Sequence, residues 1–333
     1  MNEEKAIIMK NIGKDFKVLN RHEGLKGSIK DLFSRDYNIV TAVNDISLEI
    51  PKGQIVGYLG PNGAGKSTTI KMMTGVLEPT RGEILVNGCV PYKNRAKNAE
   101  NIGVVFGQRS QLWWSLPLIE SFRLLKEIYL IEDDEYEEMI SLYKSLVNLE
   151  PLLHKTVRQM SLGQRTLSDI LAAFLHNPKV VFLDEPTIGL DVSMKAKIRD
   201  LIRELNKRKK TTVILTTHDM GDVDALCERI VIIDHGRMIY DNDIDHLKSY
   251  FGSYRTLKLR LPGDKWVEEL IDESKTDAMS VISEYQKKSK ILDIKLEEIS
   301  TEEVIKKIYM GETVKNEKIS GIDNSRDDKD LAI

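Results

Sequence analysis

At 333 residues the chain is too long for one small module and fits a large domain with a smaller one, at roughly 150 residues per domain. Lys and Arg number 49 against 52 Asp and Glu, a formal charge of −3, so no overall basic field exists to coat nucleic acid or an anionic bilayer unaided. Hydrophobic residues at 41% and charged residues at 30% supply a substantial core and exclude wholesale disorder.

Apolar residues alternate at Ile46, Leu48 and Ile50 before Pro51-Lys52-Gly53 turns the chain into Gln54 to Leu59, a pattern that predicts a hairpin leading into a buried strand. A glycine-rich loop follows, then a helix from about Lys66. Short β-branched runs come at Glu83 to Val86, Ile102 to Phe106, Val180 to Leu183, Thr212 to Thr216 and Ile230 to Asp234. Helical patterns such as Leu167 to Leu175 and Met194 to Leu205 separate most of them, which predicts an α/β fold with parallel central strands. Leu116 to Leu149 is leucine-rich at helical spacing and reads as an insert, part of a helical subdomain over about 112–176. The large domain is expected over 1–243.

A small α+β appendage is expected over 244–311. It reads as a strand at Thr256 to Leu261, helical stretches near Lys265 to Glu273 and Met279 to Lys288, a strand at Ile291 to Leu296 and a helix at Thr301 to Tyr309. The polar stretch 312–333 has few apolar anchors and is expected to be disordered. Cys89 and Cys227, the only cysteines, lack the spacing of a disulfide framework or a zinc cluster, and a reducing compartment fits. No window approaches the ~18 to 20 apolar residues of a spanning helix, and no signal core follows Met1. The expectation is a cytoplasmic chain, with a membrane partner left open.

Gly60-Pro61-Asn62-Gly63-Ala64-Gly65-Lys66-Ser67, followed by Thr68, matches the phosphate-binding pattern G-x-x-x-x-G-K-[ST] between a predicted strand and a predicted helix. Glycines let backbone N–H groups turn inward around phosphates, and the helix adds its positive end. Lys66 is expected to reach the β- and γ-phosphates, and the Ser67 hydroxyl to ligate Mg²⁺. The second element is Val180-Val181-Phe182-Leu183-Asp184-Glu185, an apolar strand ending in two acids. A buried strand does not carry a free carboxylate without a partner. Asp184 is placed to hold the Mg²⁺ shell and Glu185 to act as general base toward water.

Met160-Ser161-Leu162-Gly163-Gln164 resembles the LSGGQ signature of ABC ATPases. Gln108 resembles the Q-loop glutamine, Ile188-Gly189-Leu190-Asp191 the D-loop, and His218 in Thr216-Thr217-His218-Asp219 the switch histidine. The resemblance covers roughly Ala6 to Asp241. It implies an ABC-type P-loop ATPase domain that binds ATP and Mg²⁺ in a head-to-tail dimer, homomeric or heteromeric, each nucleotide lying between the phosphate loop of one copy and the signature of the other. Ser161, Gly163 and Gln164 would present a hydroxyl and backbone amides to the γ-phosphate, Asp191 would sit at the subunit contact, and His218 would orient Glu185. Gln108 would bind Mg²⁺ and relay closure to integral membrane permease subunits. The family also implies an exporter subunit bound peripherally to the inner face of the cell membrane, with no nucleic-acid partner. The alternative is a soluble ABC-type ATPase acting on ribosomes or nucleic acid; a simple P-loop kinase is disfavoured by the signature at Ser161.

Two departures stand out: Leu162 replaces a signature glycine, adding bulk beside the phosphate, and Met160 replaces its leucine with little change in volume. The aromatic that stacks on adenine is either Phe16, which is favoured, or Tyr37. Residues from about Lys17 to Asn38 then form an insertion. Within it Leu25, Ile29, Leu32 and Phe33 fall on one helical face among Lys26, Lys30 and Arg35, a short basic amphipathic helix that either packs on its own domain or contacts a membrane subunit or lipid headgroups. Trp113 and Trp114 read equally as core aromatics or as part of a partner surface.

Overall fold

A computed structural model describes residues 4–19, 37–107 and 110–309, with the backbone alone at Tyr250. Gln108, the amphipathic segment around Leu25 to Arg35 and the polar stretch 312–333 lie outside the described residues. Two compact units divide the chain, the described residues 4–241 belonging to one and 242–309 to the other.

In the first unit, β1 (Lys5–Leu19) pairs antiparallel with both β2 (Tyr37–Pro51) and β4 (Arg81–Val86). A six-stranded sheet has the order β5 (Ile102–Phe106), β6 (Val180–Asp184), β7 (Thr212–Thr216), β3 (Ile55–Leu59), β8 (Arg229–Asp234) and β9 (Arg237–Asp243). Neighbours from β5 through β8 run parallel. The expected hairpin across Pro51-Lys52-Gly53 does not form, because β2 and β3 enter different sheets. Burial explains the divergence: β2 hides Ile46, Leu48 and Ile50 and exposes the residues between, whereas all five residues of β3 are buried, the mark of a strand covered on both faces.

Helix α1 (Lys66–Met73) follows β3, and the short α2 (Arg95–Ala99) precedes β5. The core joins Ile7, Met9, Ile46 and Ile50 of the first sheet to Val56, Phe182, Ile214 and Val231 of the second, with Ile70, Met72 and Met73 from α1. Each such side chain contributes about 1.5–3 kcal/mol relative to exposure. Between β5 and β6 lie α3 (Leu118–Tyr129), α4 (Asp133–Leu146), α5 (Glu150–Leu153), a 3₁₀ turn at Val157–Gln159 and α6 (Leu162–Phe174). Helix α6 sits so close to β5 that a Cβ on Gly103 would stand 2.1 Å from the Ala173 carbonyl oxygen. Tyr143 of α4 donates to the Leu171 carbonyl of α6 at 2.7 Å, and His176 stacks on Tyr129 with ring centroids 3.9 Å apart. Helices α7 (Val192–Lys209) and α8 (Met220–Leu226) complete the unit.

The second unit contains α9 (Ile244–Tyr250) and an antiparallel sheet of order β11 (Lys265–Asp272), β10 (Tyr254–Leu261), β12 (Asp293–Glu298). Leu257, Leu259 and Ile271 pack against Ala278 and Ile282 of α10 (Ala278–Lys288), and α11 spans Thr301–Tyr309. The expected helix at Lys265 to Glu273 is a strand. Its apolar residues Trp266, Val267, Leu270 and Ile271 have helical spacing, but full backbone pairing with β10 from Tyr254↔Asp272 to Leu261↔Lys265 overrides that local preference.

Candidate active site

Strand β3 delivers the chain at Leu59 into the glycine-rich loop, and α1 begins at Lys66. Gly65 holds φ at +103°, and a Cβ there would lie 2.5 Å from the Ala42 carbonyl oxygen; conformation and space both demand glycine. Lys66 Nζ donates to the carbonyls of Gly60 at 2.5 Å and Pro61 at 3.0 Å. Burial draws its ammonium below the usual lysine range, and the nearby Glu185 and Asp184 carboxylates pull it back up.

Strand β6 is buried through Leu183, and Asp184 emerges between Phe106 of β5 and Thr216 of β7. The Thr216 hydroxyl donates to Asp184 Oδ1. Glu185 adopts the left-handed region at φ +51°, at a cost of about 1–2 kcal/mol, and its N–H donates to the Thr216 carbonyl at 2.8 Å. His218 leaves the end of β7, with Nε2 2.9 Å from Glu185 Oε1.

One cavity of about 280 Å³ gathers Ala42, Pro61, Asn62, Gly63, Gly65, Lys66, Ser67, Thr68, Gly107, Asp184, Glu185 and His218. Gly60 and Ala64 belong to the same loop, Ala64 being buried. The arrangement fits a nucleotide's phosphates: a glycine cradle, a cation and a helix start face one space. Ser67 and Asp184 offer oxygen donors of the kind a hard divalent cation takes.

The signature residues are elsewhere. Ser161 caps α6, accepting from the Gln164 N–H at 3.3 Å, while Gln164 Oε1 accepts from the Ser161 N–H at 3.3 Å, a reciprocal cap. A Cβ on Gly163 would stand 2.6 Å from Met194 Cγ. Leu162 is 45% exposed and lies against Gly189, whose missing Cβ would be 3.3 Å from Leu162 Cδ2. Asp191 caps α7 by accepting from the Met194 N–H at 2.9 Å. Ser161, Gly163, Gln164 and Asp191 are not among the residues lining the cavity. Phe16 and Tyr37 stand opposite Val40 and Leu19 in the β1–β2 ladder, under Lys14 and Lys17 at 5.4 and 4.8 Å, and neither lines the cavity.

Two buried carboxylates went unread in the sequence. Asp222, on α8, receives Arg199 Nε at 2.6 Å, the Thr217 hydroxyl at 3.1 Å and the Thr187 hydroxyl. Asp169, on α6, accepts from the Ser110 hydroxyl at 2.9 Å and the Gln111 N–H at 3.1 Å; burial raises it to about 6 despite these donors. No sequence pattern marks either, since their partners come from distant segments. Asp169 also lines a cavity of about 760 Å³ with Ile70, Val76, Val104, Val105, Phe106 and Gln111. Trp113 and Trp114 are partly exposed, Trp114 lying under the Arg165 guanidinium at 4.4 Å.

The family model described as "ABC transporter" matches residues 43–188, and one described as "AAA domain, putative AbiEii toxin, Type IV TA system" matches 155–224. The "ABC transporter ATP-binding protein NatA" of Bacillus subtilis is 34% identical over 215 residues, covering 65% of this chain and 87% of that protein. The "Cholesterol transporter ABCA5" of Rattus norvegicus is 33% identical over 268 residues, 80% of this chain but 16% of that longer protein. Among solved structures, the dimeric post-hydrolysis state of the ATP-binding cassette MJ0796 with ADP and Pi aligns with a TM-score of 0.57 and 26% identity, over 72% of this chain and 98% of that one. Phosphate loop, paired acids and cassette topology converge with these likenesses: the chain belongs to the ATP-binding proteins of ABC transporters, a family of ATPases.

Proposed function

We propose that the chain energises export through separate membrane permease subunits, working as one half of a head-to-tail pair of ATPase subunits. The observation that carries this reading is the split site. Phosphate-loop residues, Asp184, Glu185 and His218 share one cavity, while the Ser161 end of α6 stands outside it, as it would if a second copy's signature closed over the nucleotide. Binding would then join two copies, since a ligand shifts an equilibrium only by its differential affinity for the two states.

In this reading a bound Mg²⁺ would supply charge neutralisation on the ATP phosphates. Lys66 holds the β- and γ-phosphates, Ser67 and Asp184 hold the cation together with Gln108, and Phe16 or Tyr37 stacks on the base. Glu185 accepts the proton of the attacking water, and His218 orients it. Ser161, Gly163 and Gln164 present donors to the γ-phosphate of the partner's nucleotide, and Asp191 lies at the contact. Trp113 and Trp114, which follow Gln111 closely in the chain and are exposed, offer a surface for a permease segment. Among the described residues no helix is long and apolar enough to cross a membrane; in this reading the chain works peripherally at the inner face of the cell membrane, through its permease partners. The large domain is taken as 1–243, with its helical subdomain about 112–176, and the appendage as 244–311.

Detergent extraction followed by pull-down tests the partner. Recovery of a multi-span protein supports the reading, and recovery of ribosomes or nucleic acid without one rejects it. The shared site is tested by mixing Ser161→Ala with Lys66→Ala protein: restored ATPase activity is expected, because such a heterodimer keeps one intact composite site.

A further inference from the structure

Asp222 is fully buried, and a carboxylate in that position persists only with charge and hydrogen-bond compensation. Arg199 supplies the charge, its Nε 2.6 Å from Oδ1. The remaining partners are two threonine hydroxyls on Oδ2, from Thr187 and Thr217. Their places in the chain matter: Thr187 lies two residues after Glu185, and Thr217 immediately precedes His218. Both threonines are themselves buried. The Thr217 Oγ also accepts from the Asp219 N–H at 3.0 Å, and the Ile188 N–H closes a turn onto the Glu185 carbonyl at 3.3 Å. A single carboxylate oxygen thus ties the turn that carries Glu185 to the turn that carries His218, and the two side chains meet on the solvent side of that tie at 2.9 Å.

We propose that Asp222 is a positioning residue for hydrolysis, fixing through Thr187 and Thr217 the reach between Glu185 and His218. The proposal rests on the reading of Glu185 as the general base. A glutamate backbone held in the left-handed region at φ +51° is the feature that needs such a tie, since strain of this kind persists only when surrounding contacts over-determine it. Arg199 on α7 engages Oδ1, which leaves Oδ2 to accept both hydroxyls.

The test uses Thr187, because removing Asp222 itself would leave Arg199 only its longer bond to Asp219 at 3.4 Å and threaten folding. Thr187→Val keeps the shape and removes the donor, and Thr187→Ser keeps the donor. Loss of a hydrogen bond to a buried carboxylate loosens the turn that carries Glu185, so Thr187→Val is expected to lower kcat roughly 10- to 100-fold. The Kd for a fluorescent ATP analogue should stay within about twofold, and Thr187→Ser should recover most of the rate. In a Glu185→Gln background Thr187→Val should cause no further loss. Wild-type kcat in Thr187→Val, failure of Thr187→Ser to restore the rate, equal loss of binding and rate, or additive loss in the double variant would each overturn the proposal. Glu185→Gln alone reports on the underlying reading: undiminished turnover there removes the general base itself, whereas impaired turnover there with a normal Thr187→Val removes only the tie.

Discussion

His218 Nε2 and Glu185 Oε1 lie 2.9 Å apart across the ends of two adjacent parallel strands, β6 and β7. The pair forms because both strands end at the same level: Asp184 and Thr216 stand in register and each is the last residue of its strand. Glu185→Gln is expected to lower turnover roughly 10²- to 10⁴-fold, the usual contribution of general-base help, while ATP binding persists. Size-exclusion chromatography with ATP should then reveal a trapped dimer. His218→Ala should lower kcat with little change in nucleotide Kd, as measured by steady-state ATPase and binding assays; a wild-type kcat would remove His218 from the site.

Gly163 has no room for a side chain because Met194 lies across it. Gly163→Ala should displace the start of α6 or push Met194 aside, with an overpacking cost of about 1–3 kcal/mol. Adding Met194→Ala should return much of the lost stability and ATPase activity. Thermal melts and turnover of both variants check this, and an unrelieved double variant would place the obstruction elsewhere.

Two buried groups oppose each other in acid. Asp169 sits at about 6 in the fold against an ordinary value near 3.9, so the folded state binds the proton more readily and stability falls as pH rises from about 4 to 6. Burial lowers His176 to about 4, so its share of stability is present above about 6.5 and is lost as pH falls from there to 4. Each is worth roughly 3 kcal/mol across its window at 1.36 kcal/mol per unit, and the two largely cancel. Asp169→Asn should therefore lose stability more steeply than wild type on acidification, and His176→Phe, which keeps a ring on Tyr129, less steeply. Melting temperatures between pH 4 and 7 check both slopes, and parallel curves for all three proteins would refute the assignment.

Gly103→Ala should be among the most damaging small substitutions, because the obstacle at 2.1 Å is the Ala173 backbone and no rotamer change relieves it. The cost should meet or exceed the about 1–3 kcal/mol of ordinary overpacking, with the melting temperature falling roughly 2–4 °C for each kcal/mol. Circular dichroism melts measure it, and an unchanged midpoint would show that α6 can retreat from β5.

The elements most legible in the sequence were those whose local pattern and tertiary environment agree. The run Val180 to Leu183 ends in acids because the strand runs from core to cavity, and the phosphate loop announces itself since its chemistry is contained in eight consecutive residues. The turn at Pro51-Lys52-Gly53 was misread because a turn's sequence does not say which sheet receives the next strand. Lys265 to Glu273 was misread since helical spacing and strand alternation overlap in a short half-exposed segment, and only pairing with β10 decides. The Asp222 cluster was invisible for another reason: Thr187 and Arg199 come to Asp222 from well upstream in the chain, and only Thr217 is close to it in sequence.

Helix α6 starts at Ser161 and ends against β5, where the bare backbone at Gly103 lets it seat. Thirteen residues of helix make a rod about 20 Å long, stiff over that length. Asp169, partway along the rod, also grips Ser110 and Gln111, so the helix is held at two places besides its capped tip. One of those holds exists only because Gly103 lacks a methyl group.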